Sequence, residues 1–125
     1  MNMEQHLALI VTRSTPLEDG LSALLKAMPQ IREVDIVRSM EPALTQIESR
    51  SHHLALIDMI LLGSQPEILL ERIHQLSPHT KRVLLVDDVQ VWKFIPQYSE
   101  AILIKGMPPS NVTGILSALL QDKEQ

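Results

Sequence analysis

The chain has 125 residues, with 11 Lys and Arg against 15 Asp and Glu and no Cys, so its formal charge is −4. Its length suits one domain with a single core, its acidic balance argues against a sequence-independent nucleic-acid surface, and its lack of Cys excludes disulfides and thiolate chemistry. No apolar run approaches the roughly 18 residues of a membrane span, and the opening "MNMEQHLALIVTRS" lacks the pattern of a signal peptide, so we expect a cytoplasmic protein with one domain over residues 1–125.

The predicted strands are mostly short apolar runs without polar alternation, which is typical of parallel strands covered on both faces. Each run is followed by a polar joint and then by a segment of helical spacing, and this repetition indicates β-α units. The predicted strands are "LALIV" (7–11), "EVDIV" (33–37), "LALID" (54–58), "RVLLV" (82–86) and "AILI" (101–104).

Prolines mark the beginnings of the predicted helices, because a proline in the first helical turn gives up no intrahelical hydrogen bond. The helices are predicted to begin near Pro16, Pro42, Pro66 and Pro109. Apolar residues then recur at the spacing of one helical face. These faces comprise Leu17, Leu21, Leu24, Leu25 and Met28 in the first helix, Ile68, Leu69, Leu70 and Ile73 in the third, and Val112, Ile115, Leu116, Leu119 and Leu120 in the last.

The segment between the fourth and fifth strands, "DVQVWKFIPQYS" (88–99), departs from this rhythm. Pro96 leaves room for only a turn or two of helix, so we predict a shortened fourth helix. The only aromatic residues of the chain, Trp92, Phe94 and Tyr98, fall in this segment. Packing is the simplest role for them, and a docking surface is the alternative, since aromatic side chains are enriched at the centres of interfaces.

Repeated β-α units with right-handed crossovers predict an α/β fold, a doubly wound sheet of five parallel strands. Ligands of such sheets bind at the carboxyl ends of the strands. The charged and hydroxyl residues at or just past those ends are Thr12, Arg13, Asp58, Asp87, Asp88 and Lys105. The sequence therefore predicts that a functional site lies at this edge.

Asp58 ends the apolar run "LALID", where an ionised carboxylate without a partner would cost several kcal/mol. One cation about 4 Å away stabilises a carboxylate by roughly 4 kcal/mol at an effective dielectric near 20. If the first strand lies in the middle of the sheet, Arg13 and Lys105 flank Asp58. We therefore expect Asp58 to remain ionised through an ion pair with one of these cations.

Three segments, taken in order, resemble the receiver domains of bacterial two-component response regulators. They are "LIVTRSTPLEDGLSALL" (9–25), "HLALIDMILLGSQPEILLERI" (53–73) and "AILIKGMPPSNVTGILSAL" (101–119). The resemblance implies the flavodoxin-like strand order 2-1-3-4-5, a phosphoacceptor at Asp58, and Lys105 as the cation that meets the phosphoryl group. It also implies a role in a phosphorelay, a histidine kinase or another signalling protein as partner, and dimerisation through the fourth helix, fifth strand and fifth helix.

Receivers bind Mg²⁺ with two acidic residues directly after the first strand. This sequence departs from that pattern, because it has Thr12 and Arg13 there. Where receivers have Thr or Ser at the end of the fourth strand, it has Asp87, whose charge would repel phosphate. Asp58 is the family-position metal ligand that remains, and Asp87 and Asp88 are further candidates because hard cations bind clustered carboxylates. We therefore predict a pseudo-receiver with weak or no phosphorylation. The sequence leaves open whether the domain binds a metal ion.

Two interpretations stay open for Asp58 and for Lys105. Asp58 is either a phosphoacceptor or a structural aspartate, and Lys105 is either a phosphoryl ligand or a counterion of Asp58 or Asp87. The main hypothesis is a signalling module without enzymatic turnover that acts through protein contacts. The alternative is a flavodoxin-type binder of a small ligand or anion. The segment "TRSTP" (12–16) places hydroxyls before a helix N-terminus, where an anion can bind. Ser14 or Thr15 would serve equally well as an N-cap of that helix.

The histidines do not have the spacing of a metal site. His52 and His53 are adjacent, and His74 and His79 are five residues apart, so neither pair shares a helical face. We expect solvated histidines in loops or at the surface.

Overall fold

The computed structural model describes residues 5–88 and 96–121. Five strands within them form one parallel sheet: β1 (His6–Val11), β2 (Ile31–Val37), β3 (His52–Asp58), β4 (Lys81–Val86) and β5 (Ala101–Ile104). Their order across the sheet is β2-β1-β3-β4-β5. The predicted strands and the flavodoxin-like order are therefore confirmed, and β1 lies beside β3 in the interior of the sheet.

Helices fill the connections between the strands. They are α1 (Thr15–Lys26), α2 (Met40–Ser49), α3 (Pro66–Leu76) and the C-terminal helix (Pro109–Leu120), with short 3₁₀ turns at Met59–Leu62 and Pro96–Tyr98. Each of these four helices has its predicted proline in the first turn. The predicted shortened fourth helix, with Trp92 and Phe94, falls mainly on residues 89–95 and lies outside the described residues. In the described ranges, no helix combines the length and apolar character that crossing a membrane requires.

Each face of the sheet has its own apolar core, because successive side chains of a strand point to opposite faces. One core joins the strands to α1 and the C-terminal helix, and the other joins them to α2 and α3. The helix residues buried in the first core are Leu21, Leu25, Val112 and Leu116, and Met28, just after α1, is buried beside them. Those buried in the second are Met40, Ala43, Ile47, Leu70 and Ile73. The sequence placed Ile68 on the apolar face of α3, and this is wrong, because Ile68 is 58% exposed.

An ion pair between the buried Arg82 and the partly exposed Glu100 holds β4 at the amino edge of the sheet, where the strands begin. The guanidinium of Arg82 donates to the two carboxylate oxygens of Glu100, at 3.2 and 2.9 Å, and to the Leu70 carbonyl, at 3.1 Å. Burial by itself raises the pKa of Glu100, but the hydrogen bonds and charge of Arg82 outweigh it and leave that pKa below its ordinary value. Arg82 therefore joins α3, β4 and the residue that precedes β5.

Two histidines at the amino edge are buried, so the expectation of solvated histidines is wrong for them. His52 is fully buried, and its Nε2 lies 2.8 Å from Oδ2 of Asp35. His6 is also buried, and its ring packs against that of His53 in a tilted arrangement with the centroids 4.1 Å apart. His6 and His52 are the first residues of β1 and β3. Both strands lie in the interior of the sheet, where other elements cover both faces. The exposed histidines are His74 and His79.

Candidate functional site

Asp58 ends β3 at the carboxyl edge of the sheet and is 3% exposed. Three donors reach its carboxylate. Oδ2 accepts from the Thr12 hydroxyl at 2.9 Å, and Oδ1 accepts from the Lys105 ammonium at 2.8 Å and from the Ile60 backbone N–H at 3.4 Å. An ionised carboxylate only accepts hydrogen bonds, so this arrangement suits the charged form. The buried charge is therefore compensated by the protein.

Thr12 is held in place by its own backbone and by the turn that follows it. It is fully buried directly after β1, and its N–H donates to the Val37 carbonyl at 3.1 Å. Its Oγ1 accepts from the Ser14 N–H at 3.1 Å while its proton goes to Asp58. Because that oxygen accepts on one side, the hydroxyl is aligned to donate on the other.

Lys105 follows β5 and brings the cation to the site. Its backbone N–H donates to the Val86 carbonyl at 2.9 Å, and its Nζ lies 3.4 Å from Oδ1 of Asp87, whose side chain is 84% exposed. Burial lowers the pKa of Lys105, but the hydrogen bond and charge of Asp58, with those of Asp87, raise it above its ordinary value. Lys105 is thus an ammonium ion throughout the neutral range.

Arg13 is exposed and is not among the partners of Asp58 in the described part of the chain. Of the two cations that the sequence offered as partners of Asp58, Lys105 is the one that pairs with it in the described residues. Neighbouring residues of an extended backbone point in opposite directions. Since Thr12 points towards Asp58, Arg13 points towards solvent.

The described residues do not fit the Mg²⁺ site that the resemblance implies. Magnesium needs an octahedral set of oxygen ligands, and no group of three His, Asp or Glu in residues 5–88 and 96–121 is placed to hold a metal ion. The Thr12 hydroxyl donates to one carboxylate oxygen of Asp58, and the Lys105 ammonium donates to the other. A metal ion at Asp58 would therefore compete with both donors. Asp87 and Asp88 are both exposed.

Solved structures cover this fold almost from end to end. One is a CheY-like response regulator receiver domain protein from Methanospirillum hungatei, with 24% identity over 94% of this chain and 96% of that chain and a TM-score of 0.78. A signal receiver domain of an HD domain-containing protein from Pseudomonas fluorescens has 23% identity over 97% and 90%, with a TM-score of 0.81. The chain has the receiver-domain fold. A two-component response regulator from Clostridium difficile gives 18% identity over 97% and 100%, with a TM-score of 0.80.

No protein-family model and no curated protein matches the sequence. The likeness to receiver domains is a likeness of fold, found among solved structures that are 24% identical or less.

The flavodoxin-type alternative is not favoured, because two of the three hydroxyls of the 12–16 loop already bond within the protein. The Thr12 hydroxyl lies between Ser14 and Asp58, and the Ser14 hydroxyl caps α1 by accepting from the Leu17 N–H at 3.3 Å. Ser14 thus has the N-cap role that was weighed against anion binding.

Sequence reasoning missed two donors of the site. The sequence predicts Thr12 as a pocket residue, where receivers have an acidic residue, and as part of a loop that could hold an anion, but not as a donor to Asp58. The signal for that hydrogen bond was a hydroxyl directly after a strand that lies beside "LALID". The Ile60 N–H carries no sequence signal, because it follows from the 3₁₀ turn that begins after Asp58.

Proposed function

We propose that this chain is a receiver-like signalling domain of a two-component system that works through protein contacts rather than through enzymatic turnover. Asp58 takes the phosphoacceptor position, and phosphorylation there is weak or absent. The observation that carries the proposal is the donor set on Asp58, in which a threonine hydroxyl and a lysine ammonium reach the two carboxylate oxygens.

Phosphorylation of Asp58 would require a carboxylate oxygen to form the new O–P bond while the bond from phosphorus to the donor breaks. Catalysis of such transfers rests on positioning and on cations that neutralise the phosphoryl oxygens. Oδ1 already accepts two hydrogen bonds and Oδ2 accepts one. Lys105 is the cation beside Asp58, and Asp87 adds a negative charge 3.4 Å from its ammonium. These features support slow transfer.

Intact mass after incubation with acetyl phosphate and Mg²⁺ tests this proposal. We expect a minor phosphate-sized gain in the wild type at most, none in Asp58→Asn, and roughly tenfold more in the double variant Thr12→Asp with Arg13→Asp, which supplies carboxylates for the metal. Extensive phosphorylation of the wild type that disappears in Asp58→Asn would instead establish an ordinary phosphoacceptor.

We further propose that the domain forms a homodimer, or contacts a histidine kinase or another signalling protein, through the face built from the fourth helix, β5 and the C-terminal helix. The fourth-helix part of that face lies outside the described residues. Light scattering over a concentration series should give a dimer mass for the wild type. Ala118→Arg, on the exposed side of the C-terminal helix, should give a monomer mass, whereas Ala23→Arg on α1 should not. A monomer in all three cases would contradict the homodimer.

A further inference from the structure

An open groove runs along α3, on the face of the sheet that α2 and α3 cover, and its volume is about 570 Å³. Its apolar lining comes from α2, from α3 and from the 3₁₀ turn before β5. It comprises Leu44, Ile68, Leu69 and Tyr98. The Ile68 side chain is 58% exposed, so an apolar residue of α3 meets water here. An apolar side chain of a partner that covered it would remove this surface from water.

Glutamates surround the apolar residues of the groove. Glu67 and Glu71 line it one helical turn apart, and like charges at this spacing destabilise a helix. On α2, Glu41 and Glu48 lie three residues before and four residues after Leu44, so they share its side of the helix. All four glutamates are exposed. Among the described residues, no ion pair or side-chain hydrogen bond reaches any of these four carboxylates.

The remaining glutamates in the described part of the chain each pair with an arginine. These pairs are Glu18 with Arg38, Glu33 with Arg50, and Glu100 with Arg82. The sequences of α2 and α3 together contain four Glu and no Lys, and Arg72 is their single Arg. Uncompensated negative charge is therefore concentrated on the two helices that border the groove, which favours a cationic partner.

From the groove and its charges we propose that the α2–α3 face binds a basic amphipathic helix of a partner protein. Apolar side chains of that helix cover Leu44 and Ile68, and its Lys or Arg side chains meet the four carboxylates. An amphipathic helix suits the groove because it presents an apolar row beside charged rows. The same negative charge repels nucleic acids and anionic membranes. This contact goes beyond the proposed function, because it lies on the opposite face of the sheet from the C-terminal helix.

Two synthetic peptides of equal length test the charge of the partner. One contains Leu and Lys at the spacing of an amphipathic helix, and the other has Glu in place of every Lys. Binding to the full chain is followed by backbone amide shifts in NMR titrations. We expect the Lys peptide to bind at least about tenfold more tightly than the Glu peptide, with the largest shifts in α2 and α3. Equal binding, or largest shifts in α1 and the C-terminal helix, would overturn the proposal.

Single charge changes distinguish the groove from the net charge of the chain. Glu71→Gln should weaken binding of the Lys peptide about threefold, since one exposed ion pair contributes little. Asp19→Asn, which removes an exposed carboxylate of α1, should leave binding unchanged. Arg72→Gln removes the opposing charge from the groove and should tighten binding about twofold. Equal losses in Glu71→Gln and Asp19→Asn would show attraction by net charge alone and would reject the site.

The apolar part of the contact is tested at Ile68. Ile68→Thr should weaken binding of the Lys peptide at least about threefold, because it replaces a methyl-bearing branch with a hydroxyl in the groove. Ile36→Thr, at an exposed isoleucine of β2, is the control and should have no effect. If both variants bind like the wild type, the apolar groove is not the binding site.

Charge reversal gives the strictest test. The double variant Glu67→Lys with Glu71→Lys should prefer the Glu peptide, and it keeps a like-charged pair of good helix formers on α3, so it is expected to fold. An unchanged preference for the Lys peptide would contradict the assignment. Ala118→Arg, which tests the dimer, should bind the Lys peptide as the wild type does. Dimerisation and phosphorylation are thus measured separately, and either proposal can fail without the other.

Discussion

The two edges of the sheet both hold buried charges but surround them differently. At the amino edge, Arg82 divides its donors between Glu100 and the Leu70 carbonyl, within elements that hold the sheet together. At the carboxyl edge, Asp58 depends on Lys105, whose ammonium also meets the exposed Asp87. A cation with a solvent-exposed second partner exchanges that partner easily, because exposed ion pairs contribute little free energy. We therefore expect the amino edge to contribute more to stability, and the contact between Lys105 and Asp87 at the carboxyl edge to be exchanged more easily.

The largest loss of stability is expected from Arg82→Met at the amino edge. Breaking a buried ion pair removes about 3 to 5 kcal/mol, and the partial exposure of Glu100 reduces our expectation to about 2 to 3 kcal/mol in the free energy of unfolding. Urea denaturation at neutral pH measures it. The matched control is Arg72→Met on the exposed side of α3, and equal losses in the two variants would remove the distinction between the edges.

A smaller loss is expected from Thr12→Val at the carboxyl edge. The substitution keeps the shape of the side chain but deprives the buried Asp58 of one donor and the Ser14 N–H of its acceptor. We expect the free energy of unfolding to fall by about 1 to 2 kcal/mol. Thr113→Val, which removes an exposed hydroxyl bonded to its own helix, is the control. The loss should shrink in an Asp58→Asn background, and an undiminished loss would show that the hydroxyl does not act through Asp58.

The smallest effect is expected on acidification. Because the pKa of Glu100 is lower in the folded chain than its ordinary value, this carboxylate stabilises the fold above its unfolded pKa of about 4.3. That contribution is lost as the pH falls through the lower, folded pKa. Melting temperatures from pH 6 to pH 3 should therefore show the wild type converging on Glu100→Gln at the acidic end. Parallel curves across this range would contradict the assignment.

The strands and their order were predictable because the evidence for them is local and repeated. Runs such as 54–57 are apolar throughout, and parallel strands bring their carboxyl ends to one edge, which places Lys105 near Asp58. The sequence does not fix which way a side chain points just past a strand end, because that depends on where the extended backbone stops. For this reason the sequence left open whether Arg13 or Lys105 pairs with Asp58.

The buried histidines illustrate a second limit. His52 reads as polar in sequence, yet Asp35 on β2 gives it a partner that lies 17 positions away along the chain. The pairing reaches across β1, which lies between β2 and β3, so it depends on the register of three strands in the folded sheet.

The 3₁₀ turn at Met59–Leu62 makes the state of Asp58 visible at the surface. Asp58 caps this turn through the Ile60 N–H, and the Ile60 side chain is 78% exposed. A change in the charge or bonding of the carboxylate alters the cap and hence the first residues of the turn. A protein that packs against Ile60 would thereby sense a buried carboxylate without touching it.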